Sequence, residues 1–203
     1  MAALRLPGAG EGAPALAEVR VPVASLLRLS RWPATEPHWS QGQHRFDPPA
    51  GAPGPAWGVC YAASSLDVAF AESVIHGSAL FVAGAYQVPW AELRQRRLVR
   101  FALADGRSRL RLADLCGLPL KKLGLNNDIS AGDDYGPSQQ WALAIHQAAG
   151  HWDGIRYLSR QMNRGHAYAL FQRSGLQLSP QPARALTRAE LDDLCDRFNV
   201  AVV

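Results

Sequence analysis

The sequence is poor in cysteine, in charge and in long apolar runs. Cys60, Cys116 and Cys195 are the three cysteines in 203 residues; their odd number and wide spacing exclude a disulfide framework and predict reduced core thiols. None stands in a signature that would activate a thiolate. The most apolar stretch, residues 80–88, is far shorter than the roughly 18 residues a bilayer-spanning helix needs, so no membrane span is expected. The opening MAALRLPGAGEGAPALAE lacks a charged leader followed by a long apolar run, which predicts no secretory signal and a cytoplasmic location. No GxxxxGK[ST], HExxH, GxSxG or CxxC occurs, so P-loop, zincin, hydrolase-elbow and zinc-ribbon chemistry lose their sequence support. The glycines from Gly8 to Gly12 follow no strand and read as tail rather than as a dinucleotide fingerprint. There is no internal repeat.

What is present is the composition of an ordinary globular protein, with 48% hydrophobic and 19% charged residues. The length suits one domain with a substantial core. Residues 1–19 and 47–56 are rich in Gly, Pro and Ala and are expected to be a flexible N-terminal tail and a loop, leaving the folded domain to residues 20–203. Residues 23–31 predict a helical turn followed by a strand carrying Arg28. Residues 57–63, aromatic and β-branched after Gly-Pro punctuation, predict a strand. Ser64 or Ser65 caps a helix starting at Leu66, with Asp67 favourably placed in its first turn. Further expected elements are a buried strand over 79–88, a short helix over 89–94 and a strand over 97–103. An irregular stretch over 126–134 precedes a helix over 138–149 that Gly150 ends. Strands over 154–158, 167–171 and 176–178 follow, and a helix over 187–198 closes the chain with a capping box from Thr187 and Glu190. The spacing is not that of a regular βαβ repeat, and the fold class expected is α+β, one mixed domain with a bent or split β-sheet.

On the helix from Leu66, Leu66, Phe70 and Val74 share one face, while Ala69, Glu72 and His76 share the neighbouring stripe. Glu72 is therefore a carboxylate on a mainly apolar helix beside a strand that bears Tyr61. Arg94, Arg96, Arg97, Arg100, Arg107, Arg109 and Arg111 crowd one segment. Clustered cations suit a nucleic acid or an acidic partner protein, but their alternation with Leu, Val and Phe is that of the solvent face of strands. His146 and His151 read as surface or interface histidines, and no metal site is implied.

In order, the chain offers Arg28 in LLRLSRW, Arg45 in HRFDPP before a Gly/Pro loop, Tyr61, Ala62, Ser64 and Glu72 in VCYAASSLDVAFAE, and Asp153, Gly154, Ile155, Tyr157 and Ser159 in WDGIRYLSR. This ordered set, spanning residues 25–175, resembles the RES domain, the toxin half of bacterial Xre–RES toxin–antitoxin pairs. The chain departs from the usual GRW around the second arginine, having HRF. Arg28 or Arg31 matches the first family arginine, with Arg28 favoured because LLR follows the family's apolar-apolar-Arg strand.

The resemblance implies a fold similar to ADP-ribosyltransferases and an enzyme that consumes NAD+ as its substrate, without a metal. It also implies a cognate Xre-type antitoxin that occludes the active site, with nucleic acid met only through that partner. Glu72 would stabilise charge on the ribose as the nicotinamide bond breaks. Arg28 and Arg45 would hold the pyrophosphate or adjoining ribose. Tyr61 would stack on nicotinamide, and Ser159 would hydrogen-bond the ligand or Glu72. Water, phosphate or a protein side chain would accept the ADP-ribose. The rival from another class is a ribonuclease-type toxin that binds nucleic acid through residues 94–111.

Overall fold

The protein, seen as a computed structural model, is described for residues 4–8, 16–148 and 152–203. In chain order the elements are β1 (Glu18–Pro22), β2 (Leu27–Ser30), β3 (Val59–Ala63), α1 (Leu66–Phe70), a π turn (Ala71–Ile75), α2 (His76–Ser78), β4 (Leu80–Val82), β5 (Ala85–Val88), α3 (Trp90–Gln95), β6 (Arg97–Leu103), β7 (Arg109–Leu115), α4 (Gly117–Lys122), α5 (Asp128–Ala131), α6 (Gly136–Gln147), β8 (Gly154–Leu158), β9 (His166–Phe171), β10 (Leu178–Pro180), β11 (Arg184–Ala185), α7 (Arg188–Phe198) and β12 (Val200–Val202).

The main sheet runs β1-β7-β8-β9-β3-β2-β6-β10, with β11 also on β6. Its central strands are buried on both faces, which is why they read as unbroken apolar runs. Val59, Ala63, Ala167, Ala169 and Phe171 face the larger core, into which α1 sends Val68 and Phe70 and α6 sends Trp141, Ala142 and Ile145. Cys60, Ala62, Tyr168 and Leu170 face a second core. That core also takes Val21, Leu110 and Leu112 from one end of the sheet and Val99, Phe101 and Leu178 from the other. The sheet therefore curls until its two ends share one apolar interior. β7 and β8 are parallel, and the crossover that joins them carries α4, α5 and α6. β2 pairs with β3 at Leu27 and Ala63 alone, yet with β6 along all four of its residues. The sheet thus splits between β2 and β3, and the expected mixed domain with a bent or split sheet is the one formed.

Three expectations about local structure change. Residues 79–88 form a hairpin rather than one buried strand: Ala83 and Gly84 both have positive φ, 50° and 85°, the pair of left-handed residues that a tight two-residue turn requires. The hairpin joins β12 in a small second sheet, order β12-β5-β4, and Leu80 and Phe81 remain exposed. The helix from Leu66, capped by Ser65, widens into the π turn at Ala71, which separates the expected Glu72–His76 stripe into a half-buried Glu72 and an exposed His76. In the segment expected to be a tail, the described residues make contacts. Leu4 and Leu16 pack on the larger core, and Trp141 Nε1 donates to the Arg5 carbonyl at 2.8 Å. The expected helix end at Gly150, His151 and most of the Gly8–Gly12 run lie outside the described residues.

Other expectations hold or shift slightly. The Thr187–Glu190 capping box forms in both directions. The strand expected over 176–178 is β10, displaced toward Pro180, and the stretch read as irregular holds the short helix α5. Cys60 is fully buried, the other two cysteines are half-buried, and all three are free thiols. Burial pushes the Cys60 and Cys116 thiols up to about 11 and about 12, which leaves them inert as nucleophiles.

Gly154 shows how tightly the centre is built. A Cβ there would lie 2.2 Å from the Ala169 carbonyl oxygen and 2.8 Å from Leu170 Cα, both backbone atoms of β9 that cannot swing aside. Gly154→Ala is expected to lower the unfolding free energy by about 1–3 kcal/mol or more through overpacking. Gly77→Ala, where a Cβ meets nothing within 4 Å, is the control and should be close to neutral. Urea unfolding of the two variants checks this, and equal midpoints would contradict the close β8–β9 approach.

Candidate active site

Glu72 comes from the π turn and Ser159 from the residue after β8, so they reach each other across the helix–sheet boundary. Ser159 is fully buried, and its Oγ donates to Glu72 Oε1 at 2.5 Å while accepting from the Met162 backbone N–H at 3.1 Å. The serine is fixed from one side and fixes the carboxylate from the other. A π turn adds one residue to the helical circuit, and it sits where the helix must aim a polar side chain without losing the apolar contacts of Val74 and Ile75.

Arg45 lies within electrostatic reach of Glu72. Its Nη1 donates to the Gly132 carbonyl at 2.8 Å, and its guanidinium carbon lies 4.6 Å from the centre of the Tyr135 ring. Burial lowers its pKa, while Tyr135, Tyr157 and Glu72 counter that trend by favouring the cation. Tyr157 is buried, with its ring centre 4.7 Å from that of Phe46. Burial raises its phenol and the Glu72 charge raises it further, so Tyr157 is a neutral hydrogen-bond donor beside the carboxylate. Arg160, held by Asp133 at 2.8 Å, adds a second positive charge felt by Arg45.

The loop that presents Arg45 is organised by Asp47. That fully buried carboxylate accepts at Oδ2 from Ser40 Oγ at 2.6 Å and from the Gln43 and His44 backbone N–H groups at 3.0 Å each. Its Oδ1 accepts from the Tyr61 hydroxyl at 2.9 Å, and Tyr61 Oη in turn accepts from the Phe46 N–H at 2.9 Å. The Tyr61 hydroxyl is thereby committed to the loop, and burial followed by Asp47 raises its pKa well above the ordinary value. Its ring stands edge-on to His44 at 5.6 Å.

Among the described residues, Arg28 makes no hydrogen bond or ion pair with Glu72. It fills the split between β2 and β3, donating to the Tyr61 carbonyl at 2.7 Å and pairing with Glu36 at 2.9 Å. Its link to the site runs through Tyr61 to Asp47 and the Arg45 loop. Arg31 instead pairs with Glu92 at 2.5 Å. So Glu72, Ser159 and Arg45 converge, Tyr61 supports them from behind, and Arg28 braces Tyr61. Sequence reasoning gave no role to Tyr135, Arg160 or Asp47, the last of which stands in the quoted HRFDPP. Tyr157 and Arg160 sit in the quoted GIRYLSR, two residues before Ser159 and one after it, so alternation along the strand was the signal available for Tyr157.

The arginine-rich segment is spread over α3, β6 and β7, and part of its charge is met by acids. β6 and β7 are separated by four strands in sheet order. Arg107 pairs with Asp105 at 2.7 Å and Asp153 at 3.1 Å, and Arg111 with Glu18 at 2.6 Å. His146 is half-buried and stacked on Trp57, with ring centres 4.1 Å apart and planes within 4°. Among the described residues no three His, Cys, Asp or Glu side chains gather as metal ligands would.

A mixed domain whose curled, split sheet and helix bring a carboxylate, a serine and a buried arginine to one place is the class that this fold and site define. The RES domain model matches residues 18–190, and the chain belongs to the RES domain family. No curated protein matches its sequence. Among solved structures, it is similar in fold to a chain in the crystal structure of the M. tuberculosis MbcT–MbcA toxin–antitoxin complex. The TM-score is 0.55 at 20% identity, covering 83% of this chain and 87% of that one.

Proposed function

We propose that the protein is the toxin of a toxin–antitoxin pair and cleaves the bond between nicotinamide and ribose in NAD+. The observation that carries this reading is the 2.5 Å hydrogen bond from buried Ser159 to Glu72, a carboxylate close enough to Arg45 to favour its charge. When the bond breaks, its electron pair leaves with nicotinamide and positive charge develops on the ribose, as in glycoside cleavage. A carboxylate already oriented by Ser159 stabilises that charge without having to reorganise. Arg45, and Arg160 at the edge of the site, suit the pyrophosphate oxygens, since a guanidinium presents paired donors. Tyr157 donates to a ribose hydroxyl or to Glu72. The acceptor oxygen of water, phosphate or a protein side chain then bonds to the ribose carbon, and a water or hydroxyl acceptor gives up its proton to solvent. Arg28 keeps the β2–β3 split in shape through Tyr61. An Xre-type antitoxin that covers this site and holds the toxin inactive completes the proposal.

Incubation of the purified chain with NAD+, in buffers with and without phosphate and with products identified by mass, is the test. Nicotinamide should be released in both. ADP-ribose, ADP-ribose 1″-phosphate or a modified protein then identifies the acceptor. If the chain neither binds NAD+ nor releases nicotinamide, the proposal fails.

A further inference from the structure

Where α3 runs into β6, a depression of about 400 Å³ is lined by Arg31, Pro33, Arg94, Gln95 and Arg97. Arg31 Nη2 lies 2.5 Å from Glu92 Oε2 and 2.6 Å from Ser78 Oγ. Arg96 reaches the same Ser78 Oγ at 3.2 Å and the same Glu92 Oε2 at 3.5 Å. One carboxylate thus serves two guanidinium groups. Arg97 adds a third whose Nη1 donates to the Arg94 and Arg96 carbonyls at 2.6 and 3.0 Å rather than to an acid. Arg94 adds a fourth, exposed and without a side-chain ion pair among the described residues.

The electrostatics of this corner are incomplete as they stand. Arg96 is 7% exposed, and both its Nε and that of Arg31 are buried without a hydrogen-bond acceptor. A buried N–H left unpaired is unfavourable, and more so on a charged group. Burial, followed by the nearby Arg31 charge, lowers the Arg96 pKa to about 10. Both Nε atoms lie beneath the surface, so what an anion in the depression would meet is the surplus charge: Arg31 and Arg96 share the single Glu92 carboxylate, and Arg94 and Arg97 have no acid partner among the described residues. The opposite arrangement holds at Arg107 and Arg111, whose charges are met by Asp105, Asp153 and Glu18.

We propose that this depression is a binding site for a phosphate group, separate from the Glu72 site. Several forked guanidinium groups converging on one concave spot match the several oxygens of a phosphate better than the two of a single carboxylate. The volume leaves room for the remainder of a phosphate ester. Free phosphate and a nucleotide phosphate share this chemistry.

Thermal unfolding of the full chain with rising inorganic phosphate, against sodium chloride at matched ionic strength, tests the site. The expected result is a saturable rise in Tm specific to phosphate. Arg94→Gln should weaken the fitted affinity by about tenfold or more, the scale of one lost charge-assisted contact. Arg97→Gln is a second variant with the same expectation, and Arg109→Gln, which removes an equal charge elsewhere, should leave the affinity unchanged. AMP is titrated in parallel: weakening by Arg94→Gln assigns a nucleotide phosphate to the site, whereas no weakening assigns free phosphate to it. The proposal is overturned by a phosphate effect equal to that of chloride or unchanged in both Arg94→Gln and Arg97→Gln. A short RNA that binds through Arg94 while phosphate has no effect overturns it as well. None of these readouts depends on NAD+ cleavage.

Discussion

Glu72→Gln should reduce nicotinamide release from NAD+ by at least about a hundredfold, the scale on which a fixed charge aimed at developing transition-state charge acts. The substitution is nearly isosteric. The amide oxygen can still accept from Ser159 Oγ, so the 2.5 Å contact has a neutral counterpart and the fold has little reason to change. What disappears is the negative charge. NAD+ affinity should therefore fall far less than turnover, because Arg45 and the tyrosine walls are untouched. That split between binding and rate distinguishes a charge acting on the transition state from a residue that merely holds the ligand. Stopped assays of nicotinamide release, with NAD+ binding measured calorimetrically on the same preparation, provide the comparison. Wild-type turnover in Glu72→Gln would remove the carboxylate from the mechanism.

The sequence pattern made the meeting of Glu72 with Ser159 an expectation, since the family resemblance set both in one site although 87 positions separate them. It did not reveal the π turn. Apolar spacing from Leu66 to Val74 reads with a period of 3.6, and an inserted residue in a helix is decided by tertiary packing rather than by composition. The same limit hid the hairpin over residues 79–88. Gly84 advertises a turn, but Ala83 in a left-handed conformation carries no compositional signal, so an uncharged run of ten residues reads as one buried strand. Tyr135 was invisible for a different reason. It stands at the start of α6, and it approaches Arg45 because the α4–α6 crossover returns over the sheet. Crossover geometry is not encoded in any local window.

Arg28 illustrates the distinction between a motif residue and a contact. Alternation along β2 sends Leu27 and Leu29 to the larger core, which turns Arg28 to the other side of the sheet, where it meets Cys60, Glu36 and the Tyr61 carbonyl. These contacts make Arg28 a brace between β2 and β3 rather than a hydrogen-bond partner of Glu72. Arg45 is the cation within electrostatic reach of the carboxylate, and its loop depends on the acidic residue of the same HRFDPP segment.

That residue is Asp47, and its truncation should be among the most damaging single changes in the chain. Asp47→Ala leaves the Tyr61 hydroxyl, Ser40 Oγ and the Gln43 and His44 N–H groups without their acceptor. At about 1–3 kcal/mol for each donor that stays buried and unpaired, the sum is several kcal/mol. A typical domain has only about 5–15 kcal/mol in total, so the variant should unfold at much lower denaturant or fail to accumulate. Asp47→Asn should be milder. Its amide oxygen can keep the three donors at the Oδ2 position, and its NH₂ can donate to Tyr61 Oη, which has a lone pair to offer. The expected order of stability is wild type, then Asn, then Ala, and NAD+ affinity should follow it because the loop that carries Arg45 loosens in step. Urea unfolding with NAD+ titration of the three proteins measures both. An Ala variant within about 0.5 kcal/mol of wild type, the range of an inconsequential surface change, would mean that the Arg45 loop is held by something other than this carboxylate.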